Sequence, residues 1–262
     1  MMKHNETDTK LLVSRAQDAA EMALKKGEAR FLPFLSDTEI AFLEVNLRYN
    51  RDDETLIFFG GYDEADYKCA GFFPSYCFYD EEYEPEKDFP ICTVFAKGSG
   101  FRKLTHRDFL GSMMSLGIKR ETIGDIVVSD DGCSAYVFCL EKTAEYLVAN
   151  FTSAANDKVV CSICPPDKIE IPPKKFEVIN ATVNSPRIDA IICACLDLSR
   201  EEAGRYISSG LVACNHILCE DKSKMCSEGT LVSVRHHGRF LVYKFGDRNR
   251  RDRLRITIHR YI

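Results

Sequence analysis

The chain opens with two stretches in which apolar residues recur at helical spacing. The first, LLVSRAQDAAEMALKKG, predicts an amphipathic helix that ends at Gly27. The second predicts a helix that starts with the capping pair Ser36 and Glu39. The run TLIFFGG then predicts one buried strand, and the acidic, turn-rich YDEEYEPEKD follows it. We therefore expect a helical or α+β N-terminal region, containing this strand, over residues 1–84.

Strand and helix patterns alternate in the next block. FPICTVFAK predicts a strand, and LTHRDFLGSMMSLG predicts a helix capped by Thr105 and ended by Gly117. DIVVS and SAYVFCL predict strands joined by the turn DDG, and EKTAEYLVANF and KVVCSI predict a helix and a last strand. The order β-α-β-β-α-β predicts a ferredoxin-like (RRM-like) domain over 85–166. Four prolines in PPDKIEIPPKK then predict a stiff linker over 167–179.

The last part of the chain, residues 180–262, predicts a small module of helices followed by strands. IDAIICACL has one apolar face, and a second helix is capped by Ser199 with Glu202 and ended by Gly210. LVACN, LVSVR, RFLVYKF and LRITIHRYI have the alternating, β-branched pattern of strands. The fold class expected for the whole chain is α+β.

Charge is distributed unevenly between these regions. Residues 180–262 contain 14 basic and 9 acidic residues, whereas the other 179 residues contain 21 basic and 31 acidic ones. A basic module on an acidic body is typical of a protein whose one end meets a polyanion. Compositional drift is the alternative explanation, and the charge alone does not exclude it.

Twelve cysteines occur without an export signal or an apolar run long enough to span a membrane. We expect reduced thiols in the cytoplasm that pack as small core residues. A structural zinc site needs two suitably spaced pairs of ligands, and Cys161/Cys164 and Cys193/Cys195 are the only close pairs. Cys193 and Cys195 cannot both lie on one face of the predicted helix, so the second pair is missing. The sequence therefore predicts no metal and no cofactor.

Arginines mark the starts of the last two predicted helices. Arg187 and Arg200 stand at positions where unpaired backbone N–H groups favour a phosphate. If RLRITIH is a strand, Arg253, Arg255 and His259 lie on its open face. Such a set suits phosphate contact with RNA better than base reading. The alternative is that these are solvated charges, paired at the surface by Asp189, Asp197, Glu201 and Asp252.

The segment RIDAIICACLDLSREEAGRYISSGLVACN resembles the S4 RNA-binding domain. The S4 pattern is filled here by Arg187, Ile188, Asp189, Ser199, Arg200, Ala203, Ile207, Gly210, Val212 and Asn215. His216 stands where the family usually has Gly. Together with SVRHHGRF, FFGGYDEADYK and LTHRDFLGSMMSLGIKRETIGDI, most of the chain is similar to the YlmH family of Firmicute proteins.

This resemblance implies a non-catalytic, cytoplasmic, ribosome-associated protein that binds 23S rRNA of the large ribosomal subunit, with adjacent peptidyl-tRNA. The family is associated with ribosome-associated quality control, and its genes are linked to cell division. We accordingly expect a monomer with RNA as its partner, protein partners in quality control or division, and no membrane contact. The expected RNA-binding residues are Arg187, Ser199, Arg200, Arg205, Asn215, Lys222, Arg235, Arg239, Arg248, Arg250, Arg251, Arg253 and Arg255.

Two other functions fit an S4 module. The first is an RNA-modifying enzyme such as a pseudouridine synthase, but the only Arg-Leu-Asp-like tripeptide, Arg187 to Asp189, already belongs to the S4 helix. The second is a scaffold for division factors. The middle domain leaves a choice as well, because Tyr136 and Phe138 share a strand face that is either ordinary core or a base-stacking surface.

Overall fold

The computed structural model describes residues 6–47 and 54–262. The chain is an α+β protein that divides into two compact units, Met1–Pro172 and Pro173–Ile262. The boundary falls inside the predicted linker, after the first of its prolines. Within the described ranges, no helix combines the length and the apolar composition that a membrane span requires.

The first unit begins with a three-stranded antiparallel sheet in the order β1-β3-β2, covered by two helices. Its elements are α1 (Glu6–Lys26), β1 (Arg30–Ser36), α2 (Asp37–Asn46), β2 (Glu54–Phe59) and β3 (Tyr67–Pro74), followed by 3₁₀ turns at Ser75–Tyr79 and Pro85–Asp88. The predicted capping pair is present, with the Ser36 N–H donating to Glu39 Oε2 at 2.8 Å. Strands β1 and β3 were not predicted from the sequence, and with them the region is α+β, one of the two forms expected for it.

The same unit continues with a second sheet in the order β5-β6-β4-β8-β7, antiparallel throughout. Its elements are β4 (Ile91–Gly98), α3 (His106–Ser115), β5 (Ile123–Val128), β6 (Ser134–Leu140), α4 (Glu141–Asn150), β7 (Ser153–Ala154) and β8 (Asp157–Cys164), with 3₁₀ turns at Arg120–Thr122 and Pro166–Lys168. The predicted order of β-α-β-β-α-β is observed, with the short β7 added before the last strand. Helices α3 and α4 pack on one face, where Phe109 and Leu147 of the helices form a core with Val94 and Val137 of the sheet.

The opposite face of this sheet is partly covered by the N-terminal sheet. Phe138 on β6 is fully buried in a cluster with Phe34 and Phe73. Gly61, in the loop after β2, has a φ of +97°, and a Cβ there would lie 2.5 Å from the Phe138 ring. Residues 1–84 and 85–166, predicted as separate regions, therefore share one core.

The second unit is a six-stranded antiparallel sheet, in the order β11-β10-β12-β13-β14-β9, with two helices on one face. Its elements are β9 (Phe176–Val183), α5 (Ile188–Leu196), α6 (Arg200–Ser208), β10 (Val212–Cys214), β11 (Ile217–Leu218), β12 (Leu231–Val234), β13 (Gly238–Arg248) and β14 (Leu254–Tyr261). Ile191 and Ile207 pack from the helices onto Phe240 and Ile258 of the sheet.

The predicted linker, residues 167–179, extends too far. Strand β9 begins at Phe176 and pairs with β14 along its whole length, from Tyr261↔Phe176 to Leu254↔Val183. It is an edge strand in which only Val183 is buried, so its sequence lacks the apolar alternation by which strands are recognised. The prolines end at Pro173, and the extended chain after them belongs to the C-terminal sheet.

Candidate nucleic-acid interface

Arg187 lies at the start of α5, as predicted, but it is not a free cation. Its Nε donates to Asp189 Oδ1 at 3.1 Å and its Nη2 donates to Asp189 Oδ2 at 3.0 Å. This carboxylate raises the pKa of Arg187. Asp189 is buried, and a buried carboxylate needs such a partner. The expectation of a free arginine at this helix start is corrected accordingly, because Arg187 is used to hold the helix start together.

The start of α6 is built differently. Ser199 Oγ accepts from the Glu202 N–H at 3.2 Å. The Ser199 hydroxyl and N–H donate to Glu202 Oε2 at 2.7 and 2.9 Å, and these two bonds lower the pKa of Glu202. The hydroxyl of Ser199 is therefore used in capping. Arg200, the first residue of the helix, is exposed and forms no ion pair with the described residues. Arg205 is exposed and likewise unpaired within the described ranges.

Arg200 and Arg253 both line a depression of about 400 Å³ between the helices and the edge of the sheet. Arg253 Nη2 donates to the carbonyl oxygen of Thr182 on β9, which fixes the side chain while using one of its five N–H donors. Asp197, at the end of α5, also lines this depression. Two guanidinium groups that are 53 positions apart in the sequence thus line one concave surface.

A second depression, of about 580 Å³, is lined by Arg255, Lys244 and Asn180. It shares Ala181 and Thr182 with the first, so the two depressions adjoin. Lys244 and Asn180 were missed by sequence reasoning. Lys244 is an isolated lysine on a strand, and Asn180 lies on β9, which was not predicted.

The turn between β13 and β14 adds further cations. Arg248 Nη1 donates to the carbonyl oxygen of Asp252 at 2.6 Å and lies 3.4 Å from its carboxylate. Arg250 and Arg251 are exposed and form no ion pair with the residues that the structure describes. This turn leads directly into Arg253, so it extends the basic surface beside the first depression.

Other predicted residues lie elsewhere. Lys222 lies beside α6, with its Nζ 3.3 Å from the position that a Cβ would take at Gly204. Asn215 is a turn residue whose Oδ1 accepts from the Leu231 N–H at 2.8 Å. Arg235 precedes β13, and Arg239 is near its start, with its guanidinium over the Tyr261 ring at 5.5 Å.

The predicted RNA-binding residues of the sheet therefore form two groups, with Arg235 and Arg239 near the start of β13 and the others near its end. Arg239 and Arg248 stand at opposite ends of β13, nine residues apart, and the rise of an antiparallel strand puts them roughly 30 Å from each other. Arg200, Arg253 and the β13–β14 turn form the basic surface at one end. We call Arg200, Arg248, Arg250, Arg251, Arg253 and Arg255 the basic edge.

His259 was predicted on the open face of the sheet, beside Arg253 and Arg255. It lies in a stack across three strands, with its ring 4.0 Å from that of Phe176 and 4.2 Å from that of Tyr243. Both ring faces of His259 are thus covered.

Comparisons with known proteins agree with the resemblance seen in the sequence. Residues 85–167 match a family model described as "Putative RNA-binding domain in YlmH". The solved structure of cell division protein ylmH from Streptococcus pneumoniae has the same fold at 15% identity, with a TM-score of 0.51, covering 65% of this chain and 99% of that one. Ribosome-associated protein quality control protein P2 of Bacillus subtilis (strain 168) is 28% identical over 259 residues, or 98% of this chain and 97% of that protein. The resemblance to the YlmH family is confirmed.

The match to the YlmH domain covers the second half of the first unit, whereas the sequence patterns indicated RNA contact in residues 180–262. On the sheet face that lies opposite α3 and α4, Phe138 is buried, but Tyr136 is half-buried with its ring 5.3 Å from that of Phe95. The Tyr136 hydroxyl is 3.5 Å from the carbonyl oxygen of Lys168. The sequence left open whether Phe138 is a core residue or part of a base-stacking surface, and its complete burial shows that it is a core residue.

His106 and Asp108 lie together in the first turn of α3. Asp108 Oδ2 accepts from the Thr105 N–H at 2.8 Å and from its hydroxyl at 2.7 Å, so the carboxylate caps α3 rather than pairing with His106. These bonds lower the pKa of Asp108. Among the described residues, no group of three His, Cys, Asp or Glu side chains is arranged to hold a metal ion.

Proposed function

We propose that this chain is a non-catalytic RNA-binding protein that acts in the cytoplasm on the large ribosomal subunit, in ribosome-associated quality control. Its ligand would be 23S rRNA together with the adjacent peptidyl-tRNA, bound by a monomer. The observation that carries this proposal is the first depression, which is lined both by Arg200 at a helix start and by Arg253 in the turn before β14. The name of the Bacillus subtilis relative, a ribosome-associated quality control protein, supports the same role.

The chemistry of the basic edge favours phosphates over base edges. Guanidinium groups donate in a planar fork that matches phosphate oxygens, and the N-terminus of α6 adds partial positive charge beside Arg200. Arg200, Arg250, Arg251 and Arg255 form no ion pair with the described residues, so little internal bonding has to break before RNA binds. Lys222 and Arg205 would extend the contact along α6. Arg187, Ser199 and Asn215 would support this surface rather than touch RNA.

The test is to reverse the charge of the two arginines that line the first depression. Arg200→Glu with Arg253→Glu should lower the affinity for salt-washed large ribosomal subunits by more than tenfold at about 100 mM salt, because two phosphate contacts become repulsive. The log–log salt dependence of binding should also become shallower by roughly two. Cosedimentation over a series of salt concentrations measures both quantities.

The matched control is Lys10→Glu with Lys26→Glu, which makes the same change in net charge on exposed positions of α1. This control should bind nearly as the unmodified protein does. If the two double variants bind equally well while both remain folded by circular dichroism, the basic edge is not the RNA contact. Binding to division proteins that is insensitive to salt, without binding to subunits, would instead favour the scaffold function.

A further inference from the structure

The loop between β4 and α3 carries an aromatic side chain with almost no protein contact. Phe101 is 95% exposed, the highest value among the large apolar side chains that the structure describes. It follows Gly100, whose φ of +86° turns the chain sharply at the tip and suits glycine. Burial of an aromatic ring stabilises a fold, so a ring left almost wholly in solvent is a candidate for contact with a ligand.

The exposure does not come from a loose loop, because the backbone on both sides of Phe101 is held by hydrogen bonds. The Ser99 N–H donates to Asp157 Oδ2 at 3.0 Å, and the Ser99 hydroxyl donates to Asp157 Oδ1. Ser99 Oγ in turn accepts from the Phe101 N–H at 3.2 Å. On the other side, Arg102 Nη1 donates to the carbonyl oxygen of Ala155 at 2.8 Å. The segment that carries Phe101 is therefore held in place, while the ring itself lies in solvent.

Three cations lie close to Phe101 along the chain. Arg102 and Lys103 follow it, Lys97 precedes the loop on β4, and all three are exposed. Lys97 and Lys103 form no ion pair within the described ranges. The carboxylates of Asp157 and Asp108 are engaged by hydrogen bonds from Ser99 and Thr105, and those bonds lower the pKa of each carboxyl group.

We propose that Phe101 stacks on an unpaired base of the bound RNA, while Lys97 and Lys103 contact the neighbouring phosphates. This rests on the proposed function, in that RNA is the ligand. A single ring among cations fits a nucleobase, since every base offers a flat π-face and its strand carries phosphates. Docking to a protein would call for a contiguous apolar patch. The residues next to Phe101 in the chain are Gly100 and Arg102.

The test compares Phe101→Ala and Phe101→Trp with Tyr79→Ala. Tyr79 is the matched control, because its ring is 82% exposed but precedes the acidic Asp80, Glu81 and Glu82. Loss of one stacked base should weaken binding to salt-washed large ribosomal subunits about tenfold for Phe101→Ala. Phe101→Trp and Tyr79→Ala should bind as the unmodified protein does. The salt slope should not change, since no phosphate contact is lost.

A second measurement reports the contact directly. p-Benzoylphenylalanine placed at position 101 should crosslink under ultraviolet light to a nucleotide that is unpaired in the subunit. Unchanged binding by Phe101→Ala, or crosslinks only to a ribosomal protein, would overturn the stacking role. If the arginine double variant loses binding in the same assay, the proposed function survives that result. If the unmodified protein binds no subunits at all, both proposals fall.

Discussion

The starts of α5 and α6 share one sequence feature, an arginine at the first turn, yet the structure uses the two arginines differently. In α5, Arg187 belongs to the pair that holds the helix start, because its partner Asp189 is buried and also accepts from the Ala190 N–H at 2.8 Å. In α6 that work is done by Ser199 and Glu202, which leaves Arg200 exposed. An arginine is thus available to a ligand where another pair of side chains caps the helix.

This difference could not be deduced from position alone, since both arginines carry the same sequence signal. What separates them is the burial of the nearest carboxylate. Asp189 has a 9% exposed side chain, and the side chain of Arg187 is 35% exposed above it. A buried anion holds its cation, whereas an exposed helix start leaves the cation in solvent.

The largest expected effect is therefore on stability. Arg187→Ala should leave Asp189 as an unpaired buried carboxylate, and the penalty for such a group is on the order of 2 kcal/mol. Arg200→Ala should change stability by less than about 0.5 kcal/mol, as exposed substitutions usually do. Urea unfolding followed by circular dichroism measures both variants.

Arg187→Lys sharpens this test, because it keeps the charge but loses the bidentate hydrogen bonding to Asp189. Its stability should therefore lie between those of Arg187→Ala and Arg200→Ala. Equal stability of Arg187→Ala and Arg200→Ala would show that the pair with Asp189 does not hold α5. The order of the effects on RNA affinity should be the reverse of the order for stability. Arg200→Ala should bind large subunits less tightly than a folded Arg187→Lys.

Local signals in the sequence were read correctly in several places. The capping pairs at Ser36, Thr105 and Ser199 are present, because each involves only a side chain and backbone groups within three residues. The order of helices and strands over β4 to β8 was predicted for the same reason, since each element carries its own periodicity.

What was missed depends on contacts between distant residues. Strand β1 contains Pro33 and runs directly into α2 without a loop, so its sequence does not look like a separate strand. The bracing of the Phe101 loop by Asp157 joins residues 58 positions apart. The pairing of Arg253 with Thr182 joins residues 71 positions apart through β9. Such partners are set by sheet register, which periodicity along one segment does not reveal.

A smaller effect is expected at the cap of α6. Ser199→Ala removes the hydroxyl that bonds to Glu202 and should cost about 1 kcal/mol of stability, as loss of a helix cap usually does. Its affinity for large subunits, measured where the variant is fully folded, should stay within about twofold of the unmodified protein. Ser199→Thr keeps a capping hydroxyl and should restore most of the stability. A tenfold loss of affinity in folded Ser199→Ala would instead place Ser199 in direct contact with RNA.

The smallest effect concerns pH. Because hydrogen bonds from Ser199 lower the pKa of Glu202 in the folded protein, the ionised carboxylate stabilises the fold. That contribution is fully present above the unfolded pKa, near 4.3 for Glu, and is lost as pH falls through the lower folded value. The melting temperature of the unmodified protein should therefore fall more steeply below about pH 4.5 than that of Glu202→Gln, which has no group to titrate there. Parallel curves for the two proteins would mean that the Glu202 carboxylate at the start of α6 contributes nothing to stability by its charge.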